Sequence, residues 1–162
     1  MKRIAFIAIL LISILGGCWY YSFTNRPYPE IDSTYVESLG NETDRFDLSP
    51  LLTEGLINEL HGSALLDVVG KDAAESRISG TVTSYERETH SYTSTEEPLE
   101  YIVRIRARVT FTAKKQNEKL WESSFEGFAT YPADASTKDE PTAREEAVAM
   151  LVSRIMDRLR GG

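Results

Sequence analysis

Residues 101–112 read YIVRIRARVTFT, and their strict alternation decides the fold. Tyr101, Val103, Ile105, Ala107, Val109 and Phe111 fall on one side at a period of two. Ile102, Arg104, Arg106, Arg108, Thr110 and Thr112 fall on the other, which is the repeat of a β-strand with one core face. Residues 120–131, LWESSFEGFATY, repeat the scheme, with Trp121, Phe125, Ala129 and Tyr131 opposed to Glu122, Ser124 and Glu126. Lys115-Gln116-Asn117 supplies a short turn between them and puts Asn117 where a left-handed backbone is needed. That turn predicts a register with Phe111 opposite Trp121 and Arg106 opposite Glu126. Upstream, residues 77–85, RISGTVTSY, form a third strand of the meander, with Ile78, Gly80 and Val82 on one face.

Helices flank this meander in the sequence. Thr142 and Glu145 make a capping box, and Ala143, Ala147, Leu151, Ile155 and Leu159 recur every four residues beside Val148, Val152 and Met156. Earlier, Ser49 is placed as an N-cap with Pro50 at the first helical position, ahead of Leu52, Leu56 and Leu60, with Leu48 in the same four-residue series. Gly55 inside that helix points to close packing against the sheet. Residues 31–39 read as a strand stopped by Gly40-Asn41, while residues 64–69 suit either a helix extension or a strand. The expected fold class is α/β: a two-layer sandwich, a mixed four-stranded sheet with two amphipathic helices on one face. A right-handed crossover would join the first strand, first helix and next strand.

The chain has 162 residues, 41% hydrophobic and 27% charged, which suits one domain with an N-terminal appendage. A formal charge of −7 excludes the basic footprint of a general nucleic-acid binder, so no nucleic acid is expected as a partner. Cys18 is the sole cysteine, which rules out an internal disulfide framework and a cysteine zinc cage. His61 and His90, the latter placed in a loop over residues 88–98, have no second histidine or cysteine nearby. Neither a metal nor a cofactor is expected. No GxSxG elbow, Walker loop or dinucleotide fingerprint is present, and the acidic pairs Glu96-Glu97 and Asp139-Glu140 suit solvated loops and a helix start. No catalytic residue is assigned and the chain is read as a non-enzyme.

Cys18 finds its purpose in its neighbours. Lys2 and Arg3 precede an apolar run over residues 4–15, and Gly16-Gly17 leads directly into Cys18. As a helix that run covers about 18 Å, short of a bilayer core roughly 30 Å thick. Leu15-Gly16-Gly17-Cys18 resembles the lipobox of bacterial lipoproteins, which implies cleavage before Cys18 and acylation of its sulfur and new amine. Several acyl chains hold a protein durably on a membrane where one does not. Residues 1–17 are therefore assigned as a lipoprotein signal peptide, residues 18–30 as a lipidated tether and residues 31–162 as the α/β domain. Losing Lys2 and Arg3 takes the formal charge from −7 to −9. In the tether, WYYSFTNRPYPE, Pro27 and Pro29 prevent regular helix. Its aromatic side chains suit a membrane interface, a partner or the protein's own sheet.

The ordered set of the lipobox, CWYYSF, the Ser-Pro helix, SRISGTVTSYE, EYIVRIRARVTF, EKLWESSF and a closing Glu-Ala helix resembles the LptE family of lipopolysaccharide-assembly lipoproteins. The resemblance covers essentially the whole chain. It implies a mixed four-stranded sheet with two helices, an outer-membrane location facing the periplasm and a barrel lumen, and two partners, an LptD-like β-barrel and lipopolysaccharide (LPS). Trp19 after the cysteine is compatible with export to the outer membrane, since aspartate there accompanies inner-membrane retention in related lipoproteins. A lipoprotein adaptor of another envelope-assembly or transport system is the alternative, because a fold does not fix a function.

Arg104, Arg106 and Arg108 project three guanidinium groups from one face, and guanidinium forks suit phosphate. With Arg87 at the end of the neighbouring strand they are the candidate contact to LPS or to the barrel. Cross-strand pairing with Glu122 and Glu126 is the competing reading. The resemblance also implies a basic residue ahead of the last helix, where Lys138 stands in TKDE.

Overall fold

The computed structural model describes residues 27–115 and 117–161. The expected signal peptide, Cys18 and the expected tether as far as Arg26 lie outside the described residues, as does Gln116 of the turn. The elements in chain order are β1 (Ser33–Val36), β2 (Gly40–Asn41), α1 (Leu48–Gly62), β3 (Asp67–Val68), β4 (Ser76–Tyr92), β5 (Pro98–Ala113), β6 (Glu118–Pro132) and α2 (Glu140–Leu159).

The sheet is mixed and has six strands rather than four. Its order is β3-β1-β4-β5-β6, with β2 also paired to β4. Both additional strands are two residues long, too short to leave a periodic trace in the sequence. β3 settles the open segment after α1: it pairs parallel with β1 through Ser33/Asp67 and Thr34/Val68. β1 and β2 both run parallel to β4, as a crossover through α1 requires. The ladder resumes at Gly40, where an added Cβ would lie 3.0 Å from Thr81 Oγ1, and stops after Asn41. There the Asn41 side chain closes a turn: its Oδ1 accepts from Thr43 N (2.9 Å) and its Nδ2 donates to Arg45 O (2.7 Å).

The long β4–β5–β6 meander carries the register expected from its turn. Phe111 pairs with Trp121 and Arg106 with Glu126, and Asn117 has φ of 50°. β4 runs to Tyr92, well beyond the expected Tyr85, so His90 sits on this strand and not in a loop. The polar stretch ERETHSY stays in the ladder because β5 pairs with it as far as Pro98. At Thr83 the register slips: Val82 pairs with Ala107 and Ser84 with Arg106, leaving Thr83 as an extra residue. Its hydroxyl donates to Arg106 O at 3.2 Å. Such a bulge reverses which face each later side chain occupies.

Leu48, Leu52, Leu56 and Leu60 of α1 and the eight apolar positions read for α2 are all buried. They form one core with Ile78, Val82, Val103, Ile105, Val109 and Phe111 of the strands. Truncating any of these leucines to alanine costs about 2–5 kcal/mol in comparable cores. Gly55 does mark close packing, but against the other helix: an added Cβ would meet Val152 Cγ2 at 3.1 Å. The tightest approach is at Gly127 on β6, where a Cβ would fall 1.9 Å from Ala147 O of α2.

Both helix starts differ from the expected caps. Asp139, not Thr142, is the N-cap of α2, its Oδ1 accepting from Thr142 N (3.0 Å) and Thr142 Oγ1 (2.6 Å). At α1 the cap position is Asp47, whose side chain makes no capping bond and pairs instead with Arg144 Nε at 3.0 Å. The Ser49 hydroxyl donates to Leu39 O, tying the helix to the strand before it.

Candidate functional site

The sheet face turned away from the helices carries the arginine stripe of β5, and its three members have different surroundings. Arg106 is held between strands: Nε donates to Glu126 Oε2 at 2.8 Å and Nη1 to Glu86 Oε1 at 2.7 Å. These two carboxylates, Glu126 first, push its guanidinium still further above its ordinary range. Arg104 Nη1 stands 3.9 Å from Glu126 Oε1, and its guanidinium lies 5.9 Å from the Phe128 ring. Arg108 is exposed, and its side chain makes no ion pair or hydrogen bond among the described residues.

The expected cross-strand partners therefore divide. Glu126 serves Arg106 and Arg104, whereas Glu122 is taken by Lys119 Nζ (2.9 Å) and by the Thr110 hydroxyl (3.2 Å). The carboxyl of Glu122 is held below its ordinary value by Lys119 chiefly, then by Thr110, with the charge of Arg108 contributing. Glu86, which sequence reasoning passed over, closes the cross-strand bridge from the other side. Its position facing Arg104 and Arg106 follows only once the bulge at Thr83 is known.

The same bulge removes Arg87 from the stripe. Counted without interruption from Ile78, Arg87 belongs with the outward side chains, but the extra residue turns it to the helix face opposite Val103. There its guanidinium stacks 3.8 Å from the Tyr101 ring centroid and 5.8 Å from that of Tyr131. Its Nε donates to the Tyr131 hydroxyl and lies 3.3 Å from Glu140 Oε2. Hydrogen bonding to Tyr131 is the main reason its guanidinium is pushed up.

Glu140, the first residue of α2, is the centre of this second cluster. It accepts from the Tyr85 hydroxyl at 2.7 Å, Arg45 Nη2 at 3.2 Å and the Tyr131 hydroxyl at 3.4 Å. Its carboxyl is held below the ordinary glutamate value, first by the Tyr85 hydrogen bond and further by Arg45 and Arg87. Tyr85 is pushed far above its ordinary value, by burial first and then by Glu140. A carboxylate gathering two phenols and two guanidinium groups fastens the helix start, the loop before α1 and two strands together. The sequence signal that could have found it is an acidic residue directly before Pro141 at the helix start, where the macrodipole favours negative charge.

Lys138 lies ahead of α2, but its Nζ pairs with Glu146 Oε2 at 2.7 Å. Among the described residues no group of His, Cys, Asp and Glu is arranged to hold a metal ion, and no helix is long and apolar enough to cross a membrane.

These features define a small α/β sandwich with helices on one side of the sheet and an open, charged face on the other. A model of the LptE family, described as lipopolysaccharide-assembly, matches residues 31–159, and the chain belongs to that family. No curated protein matches it in sequence. Among solved structures, the hypothetical protein CT253 from Chlamydia trachomatis is similar with a TM-score of 0.59 at 10% identity, covering 81% of this chain and 96% of that one. Protein XCC0632 from Xanthomonas campestris gives 0.55 at 10% identity, with 79% and 85% covered. The PelC dodecamer from Paraburkholderia phytofirmans gives 0.51 at 16% identity, with 80% and 89% covered. At these identities the likeness concerns the fold alone.

Proposed function

We propose that this chain is an outer-membrane lipoprotein, acylated at Cys18, that seats in an LptD-like β-barrel and assists delivery of LPS to the cell surface without catalysing a reaction. Membership of the LptE family over residues 31–159 carries the reading. The lipobox before Cys18 supports the anchor, and the open charged sheet face supports a contact surface facing a polar lumen rather than lipid. Within the stripe, Arg108 is the guanidinium free to meet an external phosphate, and Arg104 is the next most available. Arg106 has its Nε and Nη1 committed to two carboxylates. Arg87 and Lys138 are engaged inside the domain and would have to exchange partners to bind LPS.

The test is purification of the tagged protein from native membranes with identification of what accompanies it. A large β-barrel in stoichiometric amount, and accumulation of undelivered LPS on depletion, is the expected result. A different envelope assembly recovered in its place would sink the reading and favour the adaptor alternative. For the face, reversing Arg104 and Arg108 to glutamate should weaken LPS binding severalfold in a purified assay, whereas Arg106→Gln should not. Unchanged binding in the double reversal would leave the stripe a purely structural device.

A further inference from the structure

The outward sheet face changes character at the end where β4 starts. Tyr35 of β1 pairs with Arg77 of β4, and Arg77 with Thr112 of β5, so these three side chains stand abreast on neighbouring strands. Their chain neighbours Val36, Ile78 and Phe111 are buried in the core on the helix side. Lysines flank the row from outside the sheet. Lys114 follows β5; its N donates to Glu75 O at 2.7 Å, and its ammonium donates to Lys71 O (3.0 Å) and Asp72 O (2.7 Å). This clasp draws the loop over residues 70–75 against the end of β5, and Lys71 comes with it. The loop is itself closed, Ala73 N and Ala74 N both donating to Gly70 O at 3.0 and 3.1 Å.

Between loop, strands and turn lies a cavity of about 110 Å³ lined by Lys71, Arg77 and Lys114 together with Tyr35, Thr112 and Asn117. Each of these side chains can donate a hydrogen bond, and among the described residues no carboxylate lines the cavity. In a chain with 18 lysines and arginines against 25 acidic residues, three cations around one small space run against the overall balance. Lys71 makes no ion pair or side-chain hydrogen bond among the described residues. Arg77 Nη1 stands 3.9 Å from Glu37 Oε2, beyond hydrogen-bonding distance. Lys114 keeps one ammonium proton beyond its two carbonyl partners.

We propose that this cavity receives a single phosphate group, either inorganic phosphate or a phosphomonoester whose organic part stays outside. The volume equals that of about three or four water molecules, which admits one tetrahedral oxyanion and excludes the sugar or glycerol attached to it. A phosphate group carries close to two charges at neutral pH and three strong acceptor oxygens. The cations arrive from the loop after β3, the start of β4 and the end of β5, and so meet such an anion from several sides. Arg77 supplies a planar fork and the lysines supply point charges. A carboxylate, with one charge and two oxygens in a plane, would leave cations unmatched. The site is separate from the arginine stripe and does not rest on the family reading. Thr112 lies four residues beyond Arg108 on β5, and Thr110, bonded to Glu122 at 3.2 Å, stands between them.

The test is calorimetric titration of the full chain in detergent, at constant ionic strength, with sodium phosphate in one arm and glycerol 3-phosphate in the other. One saturable site is expected. Lys71→Gln and Arg77→Gln should each weaken it about tenfold, with unchanged circular dichroism certifying the fold. Lys119→Gln removes an equal charge beside Thr112, from a lysine paired with Glu122, and should leave the affinity within about twofold of wild type. Binding of inorganic phosphate alone identifies the free anion as the ligand, and binding of glycerol 3-phosphate identifies an ester such as a lipid headgroup; either result supports the site. Binding that Lys71→Gln and Arg77→Gln leave unchanged, or an equal loss in all three variants, would reduce it to general charge attraction. Absence of a saturable signal in both arms would leave the cavity without a ligand of this class. Each of these last three outcomes overturns the proposal.

Discussion

Replacing Gly127 with alanine should be among the most damaging single-methyl additions this domain can receive. The new Cβ would lie 1.9 Å from the carbonyl oxygen of Ala147 and 2.9 Å from both Leu151 N and Leu151 Cβ, where ordinary contact begins near 3.4 Å. Two of these atoms are backbone and none can rotate away, so α2 must retreat from β6 by about 1.5 Å to restore normal separation. A gap of that size strips packing from the helix's buried face, which includes Ala143, Ala147, Leu151 and Ile155. Overpacking commonly costs 1–3 kcal/mol, and the rigid neighbours here put the expected loss at about 3 kcal/mol or slightly above. With a urea slope of about 2 kcal/mol/M, the unfolding midpoint should fall by roughly 1.5 M, read by far-UV circular dichroism. Gly55→Ala is the internal control. Its nearest atom is the movable Val152 Cγ2 at 3.1 Å, and the gain of about 1 kcal/mol in helix propensity offsets the crowding, so the midpoint should stay within roughly 0.5 M. If both alanine variants unfold at the wild-type midpoint, the close β6–α2 approach does not exist as described.

Further expectations concern the polar clusters. The folded value of the Glu140 carboxyl lies below its ordinary value of 4.5, so its stabilising contribution is complete above that pH and is lost as pH falls through the depressed folded value. Glu140→Gln should therefore lower stability at neutral pH by about 1–2 kcal/mol and flatten the acid limb of the stability curve, measured by urea titration from neutral pH to below 4. An acid limb as steep as wild type would place that pH dependence elsewhere. At the start of α2, Asp139→Ala should lower Tm more than Thr142→Ala, because Asp139 accepts the helix N–H while Thr142 only steadies it. The reverse order would restore Thr142 as the cap. Trp121→Phe removes a buried Nε1–H that has no partner among the described residues, so it should cost less than about 1.5 kcal/mol despite the smaller ring.

The sequence was most legible where a periodic pattern ran long. Every apolar position read for α2 is buried, the alternation of residues 101–112 set the core face of β5, and the turn at residues 115–117 set its register against β6. Asn117 announced its left-handed backbone because few side chains tolerate it. What the pattern could not show was the extra residue at Thr83, since a threonine in VTSY carries no mark of a bulge, and the side chains from Ser84 to Thr89 on β4 changed sides. That single slip separated Arg87 from the stripe and brought Tyr85 and Arg87 to Glu140. The caps were misplaced for a related reason. Ser, Thr and Asp are all chemically able to cap a helix, and tertiary partners decided which hydroxyl or carboxylate was available. The two-residue strands exist only as ladder bonds to β1 and β4, which no local composition encodes.

The length of β4 has a geometric consequence. Seventeen residues of strand, Ser76–Tyr92, span about 55 Å, beginning after Glu75 and ending at the turn over residues 93–97. The hairpin thus acts as a stiff mast. Standing normal to a surface at its base, a strand of that length would hold the turn farther from it than the hydrocarbon thickness of a bilayer, and adding or removing a pair of facing residues would change that height in steps of about 3.4 Å.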